Sequence, residues 1–430
     1  MSSAAPFVLG LDFGTTNSVA ATARDRQSSL VMLDAPAGAE AVFRSALCFW
    51  EDEGVRGGVA SEGGPYAIAE YLEFPSASRF IQSFKSVAAS ASFEQATIFE
   101  RRFKFEDLGR LFLDKMSARA NGALSGPARV VVGRPVIYAG AAPDNDLARR
   151  RYDAMFAGFG ATLHYVYEPL GAAFSYASRI TEPATVLVAD FGGGTSDFSV
   201  VRIEAPGAPQ RCIPLGHAGV GIAGDRFDAR IVEQLVMPLL GKGGLYRSFG
   251  KQLEIPNGYF NDFADWSRLA LMRNRRTLAE LEALRRSALD PDAIARMIAI
   301  IDQELGFRLH EAVGRVKRDL SASTEACFRF SSAGLTIEAE VTRADFESWI
   351  APEIRQIEAA IDRALVMAAT DAGAIDQIFL TGGTSLTPRI IRLFEERFGG
   401  DRIATGGELT SIAHGLALIG EQDDLAAWAA

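Results

Sequence analysis

Cysteine is scarce in this chain, with three residues among 430, at positions 48, 212 and 327. An odd number at wide spacing excludes a disulfide framework and a Cys-x-x-Cys metal site, so Cys48, Cys212 and Cys327 read as ordinary buried or half-buried residues. The four histidines, His164, His217, His310 and His414, lack any ligand spacing and read as structural, with His217 falling in a glycine-rich stretch near a presumed phosphate site. No eighteen-residue apolar run is present, so nothing in the sequence spans a membrane. The start, Met-Ser-Ser-Ala-Ala-Pro, has neither the basic region nor the apolar length of a signal peptide, and a cytoplasmic location is expected. Positive charge is also short: 44 Lys and Arg against 54 Asp and Glu give −10, which argues against nucleic acid as the partner. What remains is 48% hydrophobic and too long for one core, which fits two lobes with buried sheets.

Within that background one pattern occurs twice. Val8-Leu-Gly-Leu-Asp12-Phe-Gly14-Thr15-Thr16-Asn17-Ser18 and Val186-Leu-Val-Ala-Asp190-Phe-Gly192-Gly193-Gly194-Thr195-Ser196-Asp197 each put an apolar strand, a carboxylate and a tight Gly/Thr turn in series. Glycines let backbone N–H groups approach phosphate oxygens, and Thr15, Thr16 and Thr195 add hydroxyl donors. Asp12 and Asp190 cannot face phosphate directly, and suit Mg²⁺ held through its retained waters. Neither loop has the Gly-Lys-Ser/Thr of a P-loop or the Gly-x-Gly-x-x-Gly of a dinucleotide fold. Two unrelated β-turns would explain either loop alone. The ordered pair points to a duplicated lobe around one nucleotide-phosphate cleft. A third loop, Thr381-Gly382-Gly383-Thr384, follows a buried strand and precedes the helix Arg389 to Phe398, which suits a nucleoside lying against the main chain.

The remaining pattern supplies the scaffold. Helices are expected from Tyr66, over Gly109 to Asn121, over Asp144 to Phe159, over Leu170 to Tyr176 and over Phe227 to Leu240, with strands at Arg129 to Gly133 and His164 to Tyr167. Gly171, Ala172 and Ala173 permit a close helix crossing between lobes. Gly216 to Asp225 reads as a flexible loop. Asp262 to Leu320 reads as helical, with an N-cap at Asp290-Pro291 and an apolar stripe from Ile294 through Met297, Ile298, Ile301, Leu305, Leu309, Val313 and Val316 to Leu320 that is expected to be core. Arg273, Arg275, Arg276, Arg285 and Arg286 read as a solvated face, with docking as the alternative.

Together these elements resemble the nucleotide-binding domain of the Hsp70 family, within the actin, sugar kinase and Hsp70 superfold. The matching stretches are Leu11 to Ser18, Asp190 to Asp197, Tyr167-Glu168-Pro169-Leu170-Gly171-Ala172-Ala173, Arg315-Val316-Lys317-Arg318-Asp319-Leu320-Ser321 and Phe379 to Thr384, in family order over nearly the whole chain. The resemblance implies an α/β, actin-like ATPase fold, two duplicated lobes around a central nucleotide cleft, with residues 1–179 as lobe I, rejoined by 405–430, and 180–404 as lobe II, including a helical subdomain at about 225–320. It further implies ATP or ADP with Mg²⁺ as ligands. Asp12 and Asp190 would surround the metal, and Gly14, Thr15, Thr16, Asn17, Gly192, Gly193, Gly194 and Thr195 the phosphates. Glu168 would orient the attacking water with support from Asp197, Gly221 and Gly224 would face the phosphates, and Lys317, Arg318, Ser321, Gly382, Gly383 and Thr384 would hold the nucleoside.

Departures from the family pattern accompany the matches. The family places a catalytic Lys after the early strands of the first lobe, whereas Gly54 to Phe84 contains none. Arg56 is one substitute, and Lys85 matches a different family Lys and is not expected to be catalytic. Gly314 and Leu386 stand where the family has a Glu and a base-stacking Arg. After Thr410 to Gly420, which resembles the last helix returning to lobe I, no apolar linker or β-rich peptide-binding region follows, as in short, YegD-like members of the family. The expected function is a slow Mg-dependent ATPase whose lobe closure is coupled to a protein partner or exchange factor. The alternatives are a nucleotide-gated interaction module without hydrolysis, a small-molecule kinase and a filament-forming relative.

Overall fold

The computed structural model describes residues 7–428 apart from 76, 141, 161, 209–210, 333, 405, 408 and 424. Val8–Phe13 (β1) pairs antiparallel with Asn17–Arg24 (β2), which pairs with Gln27–Leu30 (β3) and, near its start, with Val42–Arg44 (β4). Ala46–Glu51 (β5), Val59–Gly63 (β6) and Ser78–Gln82 (β7) form a separate three-stranded sheet, with helix Pro65–Glu73 (α1) before β7. A small hairpin, Ala96–Ile98 (β8) and Arg101–Phe103 (β9), leads to helix Phe105–Arg119 (α2). That helix starts four residues before the expected Gly109, because Asp107 accepts from the Lys104 backbone N–H at 2.9 Å and closes the first turn earlier.

Arg129–Arg134 (β10) joins the free edge of β1 in parallel, and Thr162–Tyr167 (β11) joins β10 after helix Asn145–Met155 (α3). The Asp144 side chain caps α3 on the Leu147 N–H, and the helix ends at Met155 instead of reaching Phe159. Glu168–Ala177 (α4) then leads into a second sheet that repeats the first. Ala184–Phe191 (β12), Ser196–Ile203 (β13) and Cys212–Val220 (β14) make the antiparallel meander.

Gly224–Leu235 (α5) is followed by the hairpin Leu245–Ser248 (β15) and Lys251–Glu254 (β16) and by five helices. These are Asn257–Ala264 (α6), Trp266–Met272 (α7), Arg275–Ser287 (α8), Pro291–Asp302 (α9) and Gly306–Ala322 (α10). Asp290 caps α9 as its Asp-Pro pair predicts. The long stripe is buried except at half-buried Ile298, but it is carried by two helices, because the chain turns at Glu304, whose φ of 55° no α-helix accepts. Glu325–Ser332 (β17), Leu335–Thr342 (β18), Arg343–Met367 (α11), Gln377–Thr381 (β19), Pro388–Phe398 (α12), Ile403–Ala404 (β20) and Ser411–Ile419 (α13) complete the order.

The duplication is visible in strand order. The first sheet runs β3-β2-β1-β10-β11 and the second β14-β13-β12-β19-β20, each a three-strand meander extended by two parallel strands. Helix α13 lies on the first sheet and α4 reaches the second, and their facing sides pack with Val131, Val188 and Phe379 into one apolar cluster between the sheets. Where α13 crosses α4 the backbones touch: a β-carbon at Gly415 would lie 1.7 Å from the Gly171 carbonyl oxygen, so only glycine fits there.

The expected flexible loop at Gly216 is corrected. Residues through Val220 belong to β14, and Gly216 is there because a β-carbon would meet the Ala368 backbone at 2.5 Å just past the end of α11. Cys48 and Cys212 are buried free thiols and Cys327 is half-buried. Among the described residues no helix is long and apolar enough to cross a membrane.

Candidate active site

Both Asp-Phe-Gly turns open from their sheets into one cavity of about 680 Å³, within the size range of small-molecule sites. The β1–β2 turn is anchored from behind by Ser45, whose hydroxyl donates to the Gly14 carbonyl at 2.7 Å. The β12–β13 turn is anchored from the other side. Thr384 donates to the Gly192 carbonyl at 2.9 Å, and the Asp225 N–H at the start of α5 donates to the Gly193 carbonyl at 2.8 Å. The turns face each other closely, since a β-carbon at Gly193 would come within 2.4 Å of Thr16 Oγ1.

At the floor lie Asp12, Glu168, Asp190 and Lys85. Lys85 Nζ donates to Glu168 Oε1 at 2.6 Å, with both side chains 7% exposed. Burial opposes the charge on Lys85, but Glu168 and Asp12 outweigh it and hold the ammonium above its ordinary value. Burial, then repulsion from Glu168, pushes Asp12 up to about 7, and the same causes with Asp12 and Asp197 push Asp190 well above the usual carboxylate range. The carboxylates of half-buried Asp12 and buried Glu168 and Asp190 thus crowd around Lys85, and a divalent cation would relieve their repulsion. Among the described residues no three His, Cys, Asp or Glu side chains form a metal cluster. Asp12 and Asp190, which line the cavity from the two turns, fit an ion that keeps most of its water and takes one or two carboxylates, as Mg²⁺ does.

A profile for the family described as Hsp70 protein matches residues 77–245 and 298–421, more than half of the chain. The chain belongs to the Hsp70 family. It is 25% identical over 410 residues to the chaperone protein DnaK of Thermosipho melanesiensis, covering 93% of this chain and 56% of that protein. A heat shock 70 kDa protein of Neurospora crassa is 26% identical over 305 residues, 69% of this chain and 38% of that protein. The DnaK of Thermotoga petrophila is 25% identical over 404 residues, 91% and 55% respectively. The chain spans about half the length of the curated relatives it matches. Residues 246–297 fall between the two stretches that match Hsp70.

Most of the residues drawn from the Hsp70 resemblance line this cavity: Asp12, Gly14, Thr15, Thr16, Asn17, Glu168, Asp190, Gly192, Gly193, Thr195, Gly224, Lys317, Arg318, Ser321, Gly382, Gly383 and Thr384. Three do not. Gly194 sits behind Thr15, Gly221 packs on the backbone of Tyr138 and Ala139, and Asp197 is buried beneath the turn. Asp197 Oδ1 accepts from the Val136 N–H at 2.8 Å and the Ile137 N–H at 3.3 Å, joining the second sheet's turn to the segment after β10. Burial, then Glu168, lifts its carboxyl to about 7 against hydrogen bonds from Thr195 and those amides.

Two expectations are corrected. Arg56 is exposed in the β5–β6 turn and does not line the cavity, whereas Lys85 does. His217 lies in β14 with its ring 4.6 Å from that of Tyr167, away from the phosphate turns.

Sequence reading also missed Arg44, Asp225, Asp228 and His310 on the cavity wall. Lys317 Nζ pairs with Asp228 Oδ1 at 2.7 Å and reaches the Gly224 carbonyl at 3.4 Å. Burial, then Asp228, raises Asp225 to about 6, and burial holds His310 well below its ordinary value. The available signal for the acidic pair was its spacing: Asp225 and Asp228, three apart just inside a helix that follows a glycine loop, share one face.

Proposed function

We propose that the chain binds ATP and ADP with Mg²⁺ in this cleft and hydrolyses ATP slowly, with approach of the two lobes coupling nucleotide state to a protein partner. The observation that carries the reading is the pair of duplicated Asp-Phe-Gly turns opposed across one cavity that also contains Glu168 and Lys85. In this reading residues 1–179 with 405–430 form one lobe and 180–404 the other, including a helical subdomain at about 225–320. Mg²⁺ held near Asp12 and Asp190 supplies charge stabilisation on the phosphates. Backbone N–H groups of Gly14 to Asn17 and Gly192 to Gly194, with the hydroxyls of Thr15, Thr16 and Thr195, hold the phosphate oxygens. Lys317, Arg318, Ser321, Gly382, Gly383 and Thr384 hold the nucleoside. Glu168 orients a water toward the terminal phosphorus, Lys85 fixes Glu168 and offsets phosphate charge, and Asp197 holds the turn that carries Thr195. The work is positioning and electrostatics, as phosphoryl transfer requires.

One observation favours a second reading, a nucleotide-gated module without turnover: Glu168 is already engaged by Lys85 at 2.6 Å. Single-turnover ATP cleavage and calorimetric ATP and ADP binding, in wild type, Asp190→Ala and Glu168→Ala, separate the two. Binding with cleavage that Glu168→Ala abolishes without loss of binding is the expected outcome. Binding without cleavage selects the gated module, and absence of binding overturns both.

A further inference from the structure

One cation of the cavity wall lacks a paired counter-charge among the described residues. The Lys and Arg side chains that line the cavity there are Arg44, Lys85, Lys317 and Arg318. Lys85 is engaged by Glu168 at 2.6 Å and Lys317 by Asp228 at 2.7 Å, and Arg318 is exposed. Arg44 is half-buried and makes no ion pair among the described residues. Its Nη2 donates a long hydrogen bond, 3.4 Å, to the neutral Oε1 of Gln82, a residue 3% exposed at the end of β7. Burial pushes the Arg44 guanidinium below its ordinary value; Asp225 and Asp228 oppose this without making up the difference, and Arg318 adds repulsion. A guanidinium taken out of water without a carboxylate is unfavourable, and an anion entering the cavity removes that deficit.

The backbone fixes Arg44 to the first phosphate turn. β4 runs beside the start of β2, with Arg44 opposite Asn17. Its neighbour Ser45 adds two bonds to that turn, from its N–H to the Thr16 carbonyl at 2.9 Å and from its hydroxyl to the Gly14 carbonyl at 2.7 Å. On the other lobe Asp225 stands against the second turn, its Oδ1 3.2 Å from where a β-carbon of Gly193 would lie. Asp225 and Asp228 make that stretch of wall acidic, and Lys317 is already engaged by Asp228. A polyphosphate running from the turns toward Arg318 is repelled there unless a cation offsets the two carboxylates. Arg44 is the cation so placed, and its planar fork matches two phosphate oxygens at once.

We propose that Arg44 is a phosphate-binding residue of this cleft and takes the phosphates next to the ribose, which ATP and ADP share. The inference rests on the nucleotide-binding reading above and adds to it a side chain from β4. In that reading the two turns hold phosphate oxygens and Arg318 holds the nucleoside. Arg44 faces the wall between them, so the inner phosphates fall to it. The bound nucleotide then supplies the counter-charge that the protein itself leaves out.

The test is calorimetric binding of adenosine, ADP and ATP with Mg²⁺ to wild type, Arg44→Met, Arg44→Lys and Arg315→Met, with melting curves in the presence and absence of inorganic pyrophosphate. Arg315 is the control for loss of a positive charge, since it is carried by α10 but its side chain is 61% exposed. Arg44→Met is expected to weaken ADP and ATP by roughly tenfold or more and to leave adenosine unchanged; tenfold corresponds to about 1.4 kcal/mol. Arg44→Lys should recover part of the loss, because an ammonium keeps the charge without the fork. Arg315→Met should change none of the three. Without ligand, Arg44→Met should melt no lower than wild type, since no ion pair is lost, and pyrophosphate should raise the melting temperature of wild type more than that of Arg44→Met. Unchanged ADP affinity in Arg44→Met, an equal loss for adenosine, or an equal loss in Arg315→Met overturns the assignment. So does a ligand-free Arg44→Met that melts lower than wild type, which would make Arg44 structural. A wild type that binds no nucleotide overturns the functional reading, and the pyrophosphate arm then decides alone: an Arg44-dependent shift keeps Arg44 as an anion ligand, and an equal or absent shift removes it.

Discussion

The two Asp-Phe-Gly turns are copies in register and opposites in chemistry. In each, the Phe and Ser that close the turn are paired across the hairpin, Phe13 with Ser18 and Phe191 with Ser196. One step further from the turn the copies part: Asp12 faces Val19, while Asp190 faces Asp197. The first copy keeps its carboxylate beside an apolar partner, where burial and then Glu168 raise it to about 7. The second pairs two carboxylates, and Asp197 accepts from the amides of the segment after β10. Duplication supplied a symmetric frame, and substitution at the position across from the Asp made one turn a charge holder and the other a joint.

Lys85→Met removes the cation beneath both turns, and Glu168 is then buried without its partner. A loss of about 3–5 kcal/mol is expected in denaturant unfolding. Adding Glu168→Gln should recover most of it, and a double variant as unstable as Lys85→Met alone would refute the pairing. Turn geometry gives a smaller contrast. Gly14→Ala drives a β-carbon to 2.1 Å from the Asn17 carbonyl oxygen within its own turn, which only a backbone shift relieves, at about 1–3 kcal/mol. Gly193→Ala meets instead the movable Thr16 hydroxyl, so folding should be nearly unaffected while nucleotide affinity falls, and Thr16→Ala should rescue that affinity.

The last contrast is the pH dependence of the paired carboxylates. Asp197 sits at about 7 in the folded protein against an ordinary 3.8, so the folded state holds its proton more tightly than the unfolded chain does. Its stabilising contribution is full below 3.8 and is lost as pH rises to about 7, at up to roughly 1.4 kcal/mol per pH unit. Asp197→Asn keeps an oxygen for the Val136 and Ile137 amides and removes the proton. Melting curves without divalent ions should therefore fall less steeply from pH 5 to 8 in Asp197→Asn than in wild type, and identical slopes would exclude the shift.

What the sequence made legible was local chemistry. The three glycine turns, the strands ahead of them and the Asp290-Pro291 cap are set by neighbours a few residues away. What stayed hidden depended on distant partners. Gly216 looked like loop because nothing nearby shows that the chain just past α11 touches β14 there. The stripe from Ile294 to Leu320 concealed a break, since the turn at Glu304 leaves Ile301 and Leu305 buried. Lys85 was passed over because its position along the chain does not match the family's Lys, although folding brings its ammonium to Glu168 from 83 residues away.

The Gly171–Gly415 crossing has a mechanical consequence. The nucleotide cavity is bounded by Ile412 of α13 on one side and by Phe307 on another. At the crossing the backbones of α4 and α13 touch, and the helices around it share one apolar cluster with both sheets, so the spacing between the sheets is set where two side chains are missing. A methyl group at position 415 would wedge α13 off α4 and push the two sheets apart without touching any residue that lines the cavity.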